Sequence, residues 1–522
     1  MSGAKTSEWQ PSGNKWLIAV VVTLAAFMEI LDTTIVNVSL RHIAGGMSVS
    51  YDDATWTMTS YLVANGVVLT ISGWLARVLG RKRYFLICLA GFTAASVLCG
   101  LSASLGQIVI ARAVQGFFGG GLQPTQQSIL LDTFGPAQRA RAFGLTAVAT
   151  VVAPAIGPAL GGYITDTYSW PWIFFINIPV GTLAFFAVCQ LVEDPPWTRA
   201  RGLCEVDAIG ISLIALGLGC LQVTMDRGED ADWYGSEFVR VFASLAVVGL
   251  LGAVAWLLYA KKPVINIRVL ADRNFAMASA LMAAMACILY GSVVLLPELA
   301  QTVLGYDATL SGMLLSPGAA LLIVLIPLAE RLQRLIKTKY VIAVGFGILS
   351  FSMFYSHRVP PDVGFDELVF MRALQAAGLA FLFAPLTTIA FANISRQDNG
   401  DASALFTMFR NVSGSVGISI TTAMITQRTQ IRMAHLAPHM TPLDQGYAAT
   451  LRQYQQAVTD YGHHTGAPGR SALGLLYQTF LSQASVLAYA DLFTYGGIAA
   501  LCVIPFTLLL TGKVGGRAHA QA

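Results

Sequence analysis

Charge is scarce in this chain of 522 residues: Asp, Glu, Lys and Arg together make up 11% of it, against about 25% in ordinary globular domains. So few charges cannot coat a water-exposed surface of this size. With 55% hydrophobic residues and a mean hydropathy of +0.63, the surrounding solvent must be largely lipid. The net charge of +4 is small, and the basic residues are spread along the chain, which excludes a nucleic-acid-binding face. No G-x-x-x-x-G-K-[ST] phosphate loop is present, so ATP does not drive the protein directly. A disulfide framework is also missing. Cys88, Cys99, Cys189, Cys220, Cys287 and Cys502 fall in apolar runs and Cys204 in a basic loop, where they read as small hydrophobes rather than pairs. His435 and His439 lie four apart, with His463 and His464 further on, but no Cys or carboxylate cluster accompanies them. The sequence therefore implies no metal, no cofactor and no enzymatic nucleophile.

What is there is a succession of long apolar runs. A helix crossing the hydrocarbon core needs about 20 apolar residues. Such runs lie near 16–36, 55–75, 84–103, 106–130, 140–163, 170–192, 206–224, 238–259, 275–297, 310–329, 340–356, 367–391, 402–424 and 491–512. The expectation is an all-α integral membrane protein of fourteen spans. The first run is too long for a signal-peptide core and carries Glu29 and Asp32, so it reads as an uncleaved first helix. Lys and Arg concentrate in alternate connections, among them Arg77, Arg81, Lys82 and Arg83, then Arg139 and Arg141, then Arg331, Arg334, Lys337 and Lys339. The positive-inside rule places these connections and both termini in the cytoplasm. The segment 425–490 then lies outside. Its length and its amphipathic stretches Tyr447–Tyr461 and Arg470–Tyr489 suggest a packed cap or a docking surface.

An internal repeat is visible. The fourth run reads R-A-V-Q-G and later Pro; the twelfth reads R-A-L-Q-A and later Pro. Arg112, Gln115 and Pro124 thus correspond to Arg372, Gln375 and Pro385. Two related six-helix bundles are expected, 1–192 and 266–522, with two inserted helices in 193–265. Substrate and ion sites in such duplicated transporters lie between the halves, near the bilayer midplane.

Glu29 and Asp32 sit three residues apart on one face of the first span. A carboxylate at the bilayer centre costs about 2.5–3.5 kcal/mol on insertion scales, so each needs a polar cavity and a partner. Arg112, in the middle of the fourth span, is an economical partner for Asp32. A carboxyl balanced between burial and a nearby cation can load and release a proton, and Asp32 is the leading proton-coupling candidate, with Glu29 second. The alternative for both is a static, structural ion pair. Asn37, Gln115, Gln123 and Arg410 are polar residues within spans and candidates to contact substrate. In the fifth span, A-P-A-I-G-P-A-L-G-G places Pro154 and Pro158 as bends and Gly157, Gly161 and Gly162 as sites of close helix approach, which suits a moving gate or a tight packing seam. Gly73, Gly80, Arg81 and Lys82 belong to a tight basic turn, G-W-L-A-R-V-L-G-R-K-R.

Together these strings resemble the major facilitator superfamily, and within it the fourteen-helix drug:proton antiporters of the EmrB type. L-D-T-T-I-V-N-V (Leu31–Val38) is similar to the subfamily's first-span signature. Arg112-x-x-Gln115-Gly116 is similar to the fourth-span motif, and Gly157-Pro158-x-x-Gly161-Gly162 to the antiporter motif. W-I-F-F-I-N-I-P-V-G (Trp172–Gly181), M-D-R-G at 225–228 and P-L-T-T at 385–388 agree as well. Two positions depart from the pattern: Arg41 replaces the proline after the first signature, and Arg77 replaces the acidic residue of the inner loop. The resemblance implies export of a lipophilic compound against inward proton flow, in which each charge crossing is worth about 2.3 kcal/mol per 100 mV. It also implies a bacterial inner-membrane location, and work with a periplasmic adaptor protein and an outer-membrane channel. It favours Asp32 over Glu29. The rival readings are a transporter of a nutrient, siderophore or fatty acid, a membrane enzyme, and a sensor that merely retains the fold.

Overall fold

A computed structural model describes residues 11, 13–196, 207–229, 231–261, 263–306, 308–358, 363–395, 397–441, 444–461 and 468–511. Cys204, His463 and His464, and the basic residues Lys5, Arg199, Arg201, Lys262, Arg396, Lys513 and Arg517, lie outside them. Helices α1 (Lys15–Met47), α2 (Tyr51–Ala54), α3 (Trp56–Leu79), α4 (Arg81–Gly100), α5 (Leu105–Gly119), α6 (Leu122–Thr133), α7 (Pro136–Thr167), α8 (Trp172–Phe175) and α9 (Asn177–Leu191) come first. They are followed by α10 (Ala208–Arg227) and α11 (Glu237–Tyr259). The rest comprises α12 (Arg273–Thr302), α13 (Ala308–Met313), α14 (Ser316–Leu335), α15 (Thr338–Ser356), α16 (Phe365–Ala380), α17 (Phe383–Ala390), α18 (Asn399–Leu436), α19 (Gln445–Tyr461) and α20 (Pro468–Thr507). No strand occurs among the described residues. In lipid every backbone group must find its partner within its own segment, which a helix provides.

All fourteen apolar runs are helical, but they do not count equally as crossings. Among the described residues eleven helices are long and apolar enough to span a membrane, and twelve if the two arms of α7 are taken as one bent span. The runs at 106–130 and 402–424 fall outside that set. The first is split into α5 and α6 and carries Arg112, Gln115 and Gln123; the second is the polar start of α18 with Arg410. Each turns its polar residues into the bundle and leaves apolar ones exposed on its outer side, Ile110 and Phe117 in the first and Ile418 and Ile420 in the second. Apolar length alone therefore counts eleven or twelve crossings among the described residues, and the two remaining runs are helical but more polar.

The repeat is reproduced in local geometry. Arg112 is the eighth residue of α5 and Arg372 the eighth of α16, and each of these helices breaks and restarts three residues after its end. Pro124 and Pro385 are the third residues of the restarted helices α6 and α17, where a missing N–H costs no helical bond.

Helices α1, α3, α4, α5, α7 and α9 pack among themselves, and so do α12, α14, α15, α16, α18 and α20. The two sets meet where α3 and α6 touch α18 and where α7 touches α13, α14 and α17. Helix α10 packs on both α3 and α18, with α11 outside it. At the basic end of the bundle the sets are tied by charge. Arg77 of α3 pairs with Asp401 of α18, and Arg141 donates to Glu330 of α14 at 2.8 Å. Asn399 donates to Asp132 at 3.3 Å.

The described residues of segment 425–490 form a helical cap rather than an extended loop. Helix α18 runs on to Leu436, α19 follows, and α20 is one helix of 40 residues that starts well before its apolar part. Arg432 Nε donates to Asp491 Oδ2 at 3.0 Å, and Tyr454 shares a 2.9 Å hydrogen bond with Thr479, so the cap is fastened to α20.

Candidate functional site

Two buried carboxylates on α1 organise the polar interior. Asp32 is 1% exposed and Glu29 3%. As the spacing predicts, they share a face, but they enter two different networks.

Asp32 meets Arg112. Its Oδ2 accepts from Arg112 Nη1 at 2.6 Å, and its Oδ1 accepts from Gln115 Nε2 at 3.0 Å and from Asn177 Nδ2 at 2.7 Å. Arg112 is fully buried. It also donates to Gln115 Oε1 at 2.7 Å and, through Nε, to the Thr57 carbonyl at 3.2 Å, while its guanidinium lies 4.1 Å over the Tyr61 ring. Asn177 is held in turn by Ser96 at 2.9 Å. A carboxylate with a cation and two amide donors is a charge-neutral assembly, in which Arg112 Nη2 alone of the guanidinium nitrogens has no hydrogen-bond partner.

Glu29 receives only neutral donors. Its Oε1 accepts from the Tyr61 hydroxyl at 3.1 Å and from Asn65 at 3.0 Å, and its Oε2 accepts from Gln123 Nε2. The Gln123 carbonyl oxygen accepts from Arg410 of α18. One amide thus joins a carboxylate on the N-terminal helices to a guanidinium on the C-terminal ones. Arg410 is 4% exposed, and its Nε donates to Asn411 at 3.2 Å. Glu29 and Asp32 are linked through Tyr61, which offers its hydroxyl to one network and its ring to the other.

Next to Gln123 lies a narrow cleft between the two sets of helices. Ala26, Ile30, Gln126, Gln127, Thr150 and Arg410 are among its walls. Its volume of about 10 Å³ is at the lower limit for one water. Gln126 donates to Thr146 at 2.8 Å, and Thr407 of α18 donates to Gln127 at 3.1 Å, closing the cleft from across the interface.

Glycines set these distances. A Cβ on Gly120 would lie 2.4 Å from the Asn65 carbonyl, so α3 and α5 approach closely enough for Tyr61 and Asn65 to reach Glu29. A Cβ on Gly157 would lie 2.2 Å from Thr34 Oγ1, and one on Gly161 3.2 Å from Ile35. The antiporter-like string therefore packs α7 directly on the Asp32 segment of α1. Pro154 and Pro158 lie inside α7, which bends by 40° at 154–156. Gly162 meets nothing within 4 Å and takes no part in this seam.

The basic turn is built for contact with other helices. Gly80 has φ +86°, a conformation that favours glycine. A Cβ on Gly73 would lie 2.8 Å from Asp401 and from the Gly400 carbonyl. Arg81 pairs with Asp132, and the Lys82 ammonium donates to the Cys189 carbonyl at 2.7 Å. Arg77, where the pattern calls for an acid, finds its acid on α18 instead.

Gln115, Gln123 and Arg410 are thus in the networks. Asn37 is not: it is exposed and makes no hydrogen bond to them. Sequence reasoning missed Tyr61, Asn65, Asn177, Gln126, Gln127 and Thr407. The run Q-P-T-Q-Q from Gln123 to Gln127, three amides inside an apolar span, was the available signal. Among the described residues no group of three or more His, Cys, Asp or Glu side chains is placed to hold a metal.

Comparison with known proteins agrees with this architecture. Residues 22–418 match the profile of the Major Facilitator Superfamily. The chain is 31% identical over 478 residues to the multidrug export protein EmrB of Escherichia coli K12, covering 91% of each chain. It is 32% identical over 492 residues to the fatty acid resistance protein FarB of Neisseria gonorrhoeae, covering 94% of this chain and 95% of that one. Among solved structures, the human organic anion transporter MFSD10 aligns with a TM-score of 0.58 at 11% identity, over 94% of this chain and 100% of that one. A bacterial homolog of the human lysosomal transporter Spinster aligns with a TM-score of 0.52 at 15% identity, over 95% of this chain and 97% of that one. Matching sequence over most of its length, the same fold, and a polar core buried among apolar spans all place the chain in one group: it belongs to the major facilitator superfamily of multi-pass membrane transporters.

Proposed function

We propose that this chain exports lipophilic drugs or toxic amphipathic compounds from the cytoplasm in exchange for protons. The observation that carries the reading is the unequal treatment of two carboxylates one helical turn apart. Protonating Asp32 would leave Arg112 buried without its counter-charge, at a cost of several kcal/mol. Protonating Glu29 breaks no direct ion pair. In this proposal Glu29 carries the transported proton and Asp32 with Arg112 holds the frame, which reverses the order favoured by the sequence. Gln123 then couples proton to substrate. It donates to Glu29 and accepts from Arg410, so a change at Glu29 alters the contact between α6 and α18 that closes the cleft.

Several features support the remaining parts. EmrB is named for multidrug export, and it matches this chain nearly end to end. The concentration of Lys and Arg at the Gly80 end favours a cytoplasmic position for that end and for both termini, in a bacterial inner membrane. Bundles 1–192 and 266–522 move against each other, with 193–265 inserted. The helical cap of 425–490 docks a periplasmic adaptor protein that leads to an outer-membrane channel. A second reading is transport of a fatty acid. FarB is named for fatty acid resistance, and the Arg410 guanidinium at the cleft suits an anionic headgroup.

The test is drug uptake into inside-out vesicles under an imposed pH gradient, comparing wild type, Glu29→Gln and Asp32→Asn. Gradient-driven uptake lost in Glu29→Gln, in protein that inserts normally, supports the proposal. Uptake independent of the gradient would make the protein a facilitator. Gradient-driven uptake that survives Glu29→Gln but not Asp32→Asn would return the proton to Asp32.

A further inference from the structure

The internal repeat leaves the C-terminal helices with half of a site that the N-terminal helices complete. In α5, Arg112 and Gln115 grip one carboxylate between them: Arg112 Nη1 takes one oxygen of Asp32 at 2.6 Å and Gln115 Nε2 takes the other at 3.0 Å. In α16 the same pair recurs at the same positions. Arg372 Nη1 donates to Gln375 Oε1 at 3.1 Å, as Arg112 does to Gln115 at 2.7 Å. Arg372 is 2% exposed and Gln375 0%, so both are out of water. Yet Arg372 Nε and Gln375 Nε2 have no hydrogen-bond partner.

Among the described residues, the helices that pack most on α16 supply no free counter-charge. Helix α16 packs on α14, α15 and α17. Helices α15 and α17 contain no Asp or Glu, and the one acid of α14, Glu330, accepts from Arg141 at 2.8 Å. The acids of α16 itself, Asp366 and Glu367, precede Arg372 by six and five residues. At 100° per residue they project well away from its face. A guanidinium keeps its proton, so it cannot escape burial by neutralising.

We infer that Arg372 and Gln375 form an anion clamp that takes the carboxylate of a ligand, borne either by a lipophilic acid or by a small free acid. A carboxylate fits the pair because it can accept from both free donors at once: Gln375 Nε2, the counterpart of the Gln115 Nε2 that holds Asp32, and Arg372 Nε, whose counterpart in Arg112 meets the Thr57 carbonyl. The restart of a broken helix lies against Arg372. Gly318, in the first turn of α14 and just after the break at Leu314–Leu315, leaves only van der Waals clearance to the Arg372 side chain, 3.4 Å from a built Cβ to Cγ. Movement at that break uncovers the pair. The clamp is independent of which compound the transporter exports, because its ligand is read by binding alone.

The experiment measures equilibrium binding of radiolabelled decanoate to purified protein in phosphatidylcholine nanodiscs, with decanol and acetate as competitors. Saturable decanoate binding that decanol does not displace, weakened at least tenfold in Arg372→Gln and several-fold in Gln375→Ala, is the expected result. Displacement by millimolar acetate assigns the clamp to small free acids, and displacement by lipophilic acids alone assigns it to those. Binding unchanged in Arg372→Gln overturns the inference. Should that variant not fold, Arg372→Lys keeps the charge and loses the planar fork, and decanoate affinity equal to wild type in that variant overturns it as well.

Discussion

The Asp32–Arg112 pair allows a quantitative test of how the core is held. Asp32→Asn keeps the shape and removes the charge, leaving a guanidinium that is 0% exposed with no carboxylate. Breaking a buried pair from one side costs about 3–5 kcal/mol. Arg112→Gln is expected to cost less, because a buried carboxylate left alone can neutralise by taking a proton, whereas a guanidinium cannot. Asp32 would also keep Gln115 and Asn177 as donors. The double variant carries neither charge, and its loss of stability is expected to fall at least about 2 kcal/mol short of the sum of the single losses, within the usual range for residues in contact. Equilibrium unfolding of the purified protein in mixed detergent micelles, followed by tryptophan fluorescence, gives all four corners of the cycle. Additive single effects, or a larger loss for Arg112→Gln than for Asp32→Asn, would refute the reasoning.

Three further outcomes follow from the geometry. Gly157→Val drives side-chain atoms into Thr34, so it should cost about 1–3 kcal/mol as overpacking and stop transport. Adding Thr34→Ala should restore part of both, as read by unfolding and by vesicle uptake. Removing the tie at the basic end with Asp401→Asn should raise the reactivity of a single engineered cysteine in the Gln127–Thr407 region toward a thiol reagent applied from that end. The exchanged pair Arg77→Asp with Asp401→Arg should bring it back down. Arg432→Ala, which opens the partly exposed contact between cap and α20, should change stability by no more than about 1 kcal/mol.

The sequence made some of this legible for a plain reason. Asp32 and Arg112 are opposite charges in apolar spans, and charges in lipid must find each other, so their pairing could be read without coordinates. Glu29 is the contrary case. Its partners are a tyrosine, an asparagine and a glutamine, which have no sign to match and look ordinary within a span. Gly157 and Gly161 were legible as a seam, but that the seam lies against Thr34 and Ile35 depends on the rotation of α7 about its axis, which a glycine pattern does not fix. The runs at 106–130 and 402–424 are helical, but their inward-facing polar residues Arg112, Gln115, Gln123 and Arg410 keep them below the apolarity of the other spans. Asn37 belongs to the first-span signature, but its exposed side chain faces away from both networks.

Helix α20 has a mechanical consequence. Its 40 residues extend about 60 Å, twice the roughly 30 Å thickness of the hydrocarbon core, without a break before Pro505. It is a lever with its fulcrum in the membrane and its long arm in the cap. A tilt of about 10° in the membrane would swing a tip some 30 Å away through about 5 Å. The cap, fastened along that arm by Arg432 and Tyr454, would amplify small rearrangements of the transport core into displacements large enough for a fluorescent probe at its edge to follow.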